Sequence, residues 1–529
     1  MDTMRHYAIR RGLGAFRARA VGWPLPAALG GAIALRAAGI AARLAVWVVV
    51  GLFASGFAAA QAAVGWSPAT PVENGVDPTL AFGPSGDAAI GASQLSRNGQ
   101  TVATFLALRL PHRRFSPPQR FGHIPKPDRG FSPAGLQAIA LPSDGAAVAL
   151  LGPAAGGLGP VDAFVKPPGA GGFGTAQQIV KVGDVNGDSY SADTTTVVDT
   201  TRGEVVEAGQ DSNSNLSTAT LARGSTRFVV ARSTPAGMAN TDTATLATDA
   251  AGDTFLTGDG VRGCTVVAYR PPEGSFLTRY QSSDCRVGAA NIVKGIAATG
   301  DGYAALVTET QNIDQSGTGT NALLVQVGRF GRFGAPTLLS PDLRSAFGVV
   351  TDRDGSATVA WSGCMTGKRN CGVYGEQGSV HSGFAGQSVM FEADAPHVRL
   401  SGAVADGAVA VQRCAAHRRC TITVTLADRR PHRSRRFVAR ETITADGRLA
   451  QLHSDSHGDL LLVWTNHRGI VYAATSSARA HLFGLPHQLS GPGVNASTVT
   501  SAYGPSGEAI IAWSLHSGKT TAAVYDPTG

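Results

Sequence analysis

The feature that most constrains this chain is a recurring glycine. A short apolar run, a turn containing Asp, Ser and Gly, and a second apolar run return again and again along it. The clearest copies are FGVVTDRDGSATVAWSG, from Phe347, and TSAYGPSGEAIIAWSLH, from Thr500. The turn glycines are Gly86, Gly145, Gly203, Gly252, Gly302, Gly355, Gly407, Gly458 and Gly507, at steps of 49 to 59 residues. A sustained period of that length marks a repeat architecture. Glycine suits such turns because it adopts backbone angles that a Cβ disfavours.

A second landmark keeps the same phase. An aromatic, usually Phe and in four of the nine copies followed by Gly, lies 20 to 30 residues before each glycine: Trp66, Phe121, Phe173, Phe228, Phe276, Phe333, Phe384, Phe437 and Phe483. Two residue types alternating in one phase from Trp66 to Gly507 imply about nine copies of one unit. Within a unit, small and large side chains alternate, as in residues 509–513 (AIIAW) and 357–361 (ATVAW), which is the period of a pleated strand. Each unit holds four apolar runs: two around the glycine turn, a third such as TTAAVYDP, and a fourth beginning at the aromatic. Four strands in about 50 residues, repeated, has the size of a propeller blade.

The expected fold is therefore all-β: a single β-propeller of about nine (eight or nine) four-stranded blades, preceded by an N-terminal apolar signal or anchor helix. The repeat begins with a fourth strand, GWSPATPV, and stops after a third, TTAAVYDPTG. That offset is what closure of a ring by strands from both ends predicts, since closure removes a free edge. An open solenoid would want polar capping units. Two smaller rings would want a linker. Neither feature is visible in the sequence.

Residues 1–62 read as a signal peptide or anchor, and residues 63–529 as the repeat domain. Leu44–Ala60 is an apolar run preceded by Arg43 and followed by the small-x-small sequence Ala60-Gln61-Ala62, the form of a signal-peptidase site. Its 17 residues fall short of the roughly 20 that a bilayer span needs. The formal net charge of +8 belongs mostly to this leader. Seven Arg and one Asp fall within residues 1–62, leaving 38 basic and 36 acidic residues in the remainder. A nucleic-acid footprint is thus absent from the repeat domain. The chain is expected to be secreted or held in the cell envelope, with membrane tethering through an uncleaved leader as the alternative.

Six cysteines are consistent with export, falling as sequence neighbours: Cys264 with Cys285, Cys364 with Cys371, and Cys414 with Cys420. An even count in an exported chain reads as disulfides, although six cysteines allow 15 pairings. The last two pairs occupy matching places in adjacent units, where each would staple a hairpin tip. Zinc is the competing reading, but no CxxC occurs.

On the Asp/Ser-Gly turn and the Phe-Gly strand, residues 64–529 resemble exported bacterial proteins with β-propeller-like repeats. The resemblance implies fold and secretion, and little about activity, because propellers host enzymes, receptors and structural parts alike. One loop, from Asp184 to Asp193, resembles the calcium loop of integrin-type FG-GAP repeats. It departs at Ser189, where that loop has Gly, and at Asp193, which comes one residue late. The resemblance implies one structural calcium ion held by Asp184, Asn186, Asp188, the Tyr190 carbonyl and Asp193. A plain polar insertion is the competing reading. Thr195 stands where an EF-hand has its bidentate Glu, which excludes that motif.

Two basic loops, Asp428–Arg440 and His112–Arg120, sit between third and fourth strands and would emerge on one face. Arginine clusters grip carboxylates and sulfates, so an acidic polysaccharide is one candidate partner and an extracellular protein the other. His453 and His457, in LHSDSHGD, read as turn residues rather than a metal pair. No nucleophile elbow, zinc-protease motif, phosphate loop or dinucleotide fingerprint occurs. The expected function is a non-catalytic binding module. The alternatives are a polysaccharide hydrolase or lyase, its carboxylates contributed by separate blades, and a membrane-tethered structural ectodomain.

Overall fold

The computed structural model describes residues 65–528 except 96–100, 126–133, 154–160, 181–195, 200–201, 211–215, 232–234, 236, 239–244, 250, 261–263, 283–288, 313–320, 352–353, 367–368, 387, 395–397, 416–419, 428–436 and 481. The strands form nine antiparallel sheets, each built from strands consecutive in sequence except at the closure. The innermost strands of blades 1 to 9 are Val76–Phe82, Ala134–Ala140, Thr196–Asp199, Thr245–Thr248, Ala289–Thr299, Asp342–Thr351, Arg399–Ala405, Arg448–Ser454 and Ala496–Tyr503. Each contacts the innermost strand of the next blade, and the ninth contacts the first. The ring is closed.

Closure uses both ends of the repeat. The outermost strand of blade 9 is Thr70–Asn74, paired antiparallel with the last strand, Lys519–Tyr525, so that Asn74 faces Lys519. Trp66 adds an isolated bridge to Tyr525. Blade 5 departs from regularity: its outer edge is split into Arg332–Phe333 and Thr337–Ser340, both paired to Asn321–Arg329.

Both sequence landmarks have structural reasons. All nine turn glycines have positive φ, from 59° at Gly407 to 91° at Gly252, in the left-handed region that L side chains avoid. Each glycine turn joins the first and second strands of its blade. The aromatics stand at or just before the outermost strands and pack on a neighbouring blade. Phe173 of blade 2 stacks on Phe121 of blade 1 at 4.4 Å, and Phe437 of blade 7 meets Phe391 of blade 6 edge-on at 4.7 Å.

The core is divided among the blade interfaces. Among the described residues, apolar clusters fill all nine junctions, from the blade 1–2 cluster of Leu106, Leu141, Leu151 and Phe164 to the blade 7–8 cluster of Ile422, Leu462 and Trp464, with two clusters at the blade 5–6 junction. The closing junction is the smallest of them. Its fully buried members are Ile90, Ala107, Ala512 and Ala522.

Disulfides join Cys364 to Cys371 and Cys414 to Cys420, each pair directly opposed across the hairpin of second and third strands. Cys264 is also disulfide-bonded, while Cys285 lies outside the described residues. Such bonds fit an oxidising compartment. Among the described residues, no helix is long and apolar enough to cross a membrane.

Candidate functional site

Antiparallel order places the first turn of every blade, and its third-to-fourth-strand loop, on one face of the ring. The hairpins carrying the disulfides open on the other face. The glycine-turn face has a depression of about 1000 Å³ over blades 4 to 8. The turns themselves line it, contributing Asp249, Asp301, Asp354, Asp406 and Asp455. Inner-strand residues reaching it are small: Thr248, Ala298, Val350 and Ser454. Third-to-fourth-strand loops add His381 and Arg479 at the rim. Five carboxylates against one guanidinium give the depression a negative potential.

The aspartates divide by the work they do. Asp249 is buried, and its carboxylate accepts hydrogen bonds from the backbone N–H of Ala251, Asp253 and Gly302, the last in the next blade. Burial raises its pKa, and those N–H groups oppose the rise. Asp455 likewise accepts from the N–H groups of His457 and Asp459. These two brace their turns in the manner of Asx turns. Asp354 also accepts from the N–H of Ser356 in its own turn, but it and Asp301 are exposed at the mouth.

An aromatic shelf flanks this acidic region. The Arg329 guanidinium lies 4.9 Å from the Tyr303 ring centre and 4.6 Å from that of Phe330. Tyr303 in turn meets His381 edge-on at 4.4 Å.

The sequence candidates have different fates. The loop Asp184–Asp193, with Asn186, Asp188 and Tyr190, lies outside the described residues, between the last strand of blade 2 and the first of blade 3. Of the arginine run, 428–436 also lies outside them. Arg440, its last member, sits on an outermost strand and pairs with Glu392 at 2.6 Å, a carboxylate that Arg413 also approaches at 3.4 Å. The first basic loop is tied down at His112, whose Nδ1 contacts Asp526 and Glu508. Hydrogen bonding to Asp526 raises the His112 pKa.

The two histidines of LHSDSHGD do not share a site. His457 is exposed in the turn. His453, expected there too, lies instead on the inner strand Arg448–Ser454, because that strand runs one residue beyond it before the turn begins. Its Nε2 is 2.9 Å from Ser501 Oγ, which donates to Gln451 Oε1 at 2.6 Å. Burial pushes the His453 pKa down to about 4.

No protein-family model matches the chain, and none of the curated proteins does. Among solved structures, it is similar to the BP39L lectin from Burkholderia pseudomallei, at 12% identity over 79% of this chain and 99% of that one, with a TM-score of 0.39. It is also similar to the WD40 domain of SCAP from fission yeast, at 8% identity over 87% and 98%, with a TM-score of 0.42. A match to prolyl endopeptidases, at 11% identity over 72% of this chain and a TM-score of 0.39, spans 55% of their length. Likeness at this level carries no argument about activity. The chain is a nine-bladed β-propeller on the strength of its own sheets.

Proposed function

We propose that this protein is an exported, non-catalytic binding module that takes its partner on the glycine-turn face, in the acidic depression over blades 4 to 8. The observation that supports this reading is the depression itself: about 1000 Å³, open to solvent, small-residue floored and lined by five aspartates. A mouth of this charge favours a cationic partner and repels an anionic one. Of the two partners the sequence suggests, an extracellular protein presenting a basic segment fits better than an acidic polysaccharide. The leader and the disulfides support export.

Titration calorimetry with a lysine-rich peptide and with polygalacturonate tests this. The peptide should bind, weaken with added salt, and bind about tenfold or more weakly to the Asp301→Asn/Asp354→Asn double variant. Binding of polygalacturonate instead, or peptide binding indifferent to salt and to both substitutions, would overturn the reading.

A further inference from the structure

The closing junction between blades 9 and 1 holds a three-donor cluster on the same glycine-turn face but outside the acidic depression. His112 Nδ1 lies 2.8 Å from Asp526 Oδ2 and 3.3 Å from Glu508 Oε1, and the three donor atoms all lie within 4.8 Å of one another. His112 comes from the third-to-fourth-strand loop of blade 1, Glu508 from the glycine turn of blade 9, and Asp526 from the end of the last strand. Glu508 is 1% exposed, and its Oε1 accepts no hydrogen bond although it is buried and aimed at His112. A buried carboxylate oxygen left in that condition is costly unless a cation completes it.

The same chain supplies its own comparison. In blade 4, Arg270 ends a third strand and pairs with Glu204 of blade 3; in blade 1, Arg109 ends a third strand and pairs with Glu508 of blade 9. The turns that follow match position for position in backbone geometry, though not in sequence. Arg270 Nε donates to the Gly274 carbonyl and Arg109 Nε to that of Arg113, while Glu273 and His112 hold the same left-handed position at φ 60° and 54°. The pairings then differ. Arg270 engages both oxygens of Glu204, at 3.1 and 3.3 Å. Arg109 engages only Glu508 Oε2, at 2.7 Å, leaving Oε1 to face a histidine where blade 4 has a glutamate.

We propose that His112, Glu508 and Asp526 form a site for a divalent transition cation, Zn²⁺ being the best match, which staples the ring at its closure. One imidazole nitrogen and two carboxylate oxygens are a zinc donor set, with a fourth position left to water. Bonds of roughly 2.0–2.2 Å in a tetrahedron separate ligands by about 3.4 Å. The 3.3 Å between Nδ1 and Oε1 already meets that, and the exposed His112 and Asp526, just past the last strand, can open the shorter edge. Arg109 plays the outer-shell part, holding Glu508 by its other oxygen.

Zinc titration of the purified chain, followed by calorimetry and by thermal unfolding, provides the test. Wild type should bind one zinc that raises its Tm. His112→Ala and Asp526→Asn should each weaken that site by at least about tenfold and abolish the Tm rise, while other surface histidines leave any weaker binding unchanged. Isotherms and Tm shifts the same in wild type and both variants, or no zinc binding by wild type at tens of micromolar zinc, would overturn the proposal and leave the cluster an ion pair.

Discussion

Glu207 shows how a single side chain can set a pH dependence. It lies on the second strand of blade 3, fully buried, and alternation places it on the same side as Val205, which packs into the blade 2–3 cluster. Neither carboxylate oxygen accepts a hydrogen bond, and burial pushes its pKa up to about 8. The native state therefore holds a proton that the unfolded chain releases near its ordinary value of 4.5. Stability from this group is full below that value, falls as pH rises toward 8, and levels off above. The loss is on the order of 5 kcal/mol. Glu207→Gln should flatten that fall, read as unfolding free energy at pH 5 and pH 8; parallel curves for the two proteins would contradict the assignment. Gly145 makes a second residue-scale test. Its φ is 81° and nothing lies within 4 Å of where a Cβ would stand, so Gly145→Ala measures backbone strain alone. A cost of about 1–2 kcal/mol is expected in chemical denaturation. These glycines were legible in sequence because the left-handed turn leaves its mark on the residue that makes it. Glu207 was not, because neither of the two glutamates in EVVEAG shows in sequence which side of the strand is buried.

Between neighbouring blades, the Arg–Glu pairs act as bolts. Arg270 and Glu204 are 4% and 7% exposed, and Arg109 and Glu508 are 4% and 1% exposed. Removing one partner of so buried a pair takes a buried counter-charge from the other. Arg270→Met alone should cost about 3–5 kcal/mol, and adding Glu204→Leu should recover most of it. A double variant as unstable as the single would show that the guanidinium serves packing rather than charge. The letters of both bolts stand in the sequence as an Arg shortly before Pro and a Glu just after a turn glycine. Their pairing is illegible there, since the partners are 66 and 399 residues apart and only blade stacking joins them. The pairs Cys364–Cys371 and Cys414–Cys420 were legible for the opposite reason, being opposed across single hairpins. The acidic depression could be seen only in part. Aspartates recur in the turns, but which blades gather them around one cavity depends on the shape of the ring.

At the scale of the whole molecule, nine interfaces share the burden of stability, and among the described residues the ninth has the fewest fully buried apolar side chains. Three alanines and one isoleucine are fully buried there, with Val72, Leu80 and Phe115 packed against them, and an ion pair, a His–Asp–Glu cluster and the strand Thr70–Asn74 reinforce it. That arrangement gives closure its physical reason: without the strand, Lys519–Tyr525 would expose an unpaired edge. The phase-locked glycines and aromatics foretold the count, and the half-unit offset foretold the seam. Asn74 and Lys519 are directly opposed across this seam, at the two ends of the repeat. Replacing both in one chain, Asn74→Cys with Lys519→Cys, and mapping disulfides by mass spectrometry in the oxidised monomer tests the closed nine-bladed ring most directly. An intramolecular bond between positions 74 and 519 is expected in nearly every molecule. Free thiols at both positions, or bonds formed only between chains, would contradict it.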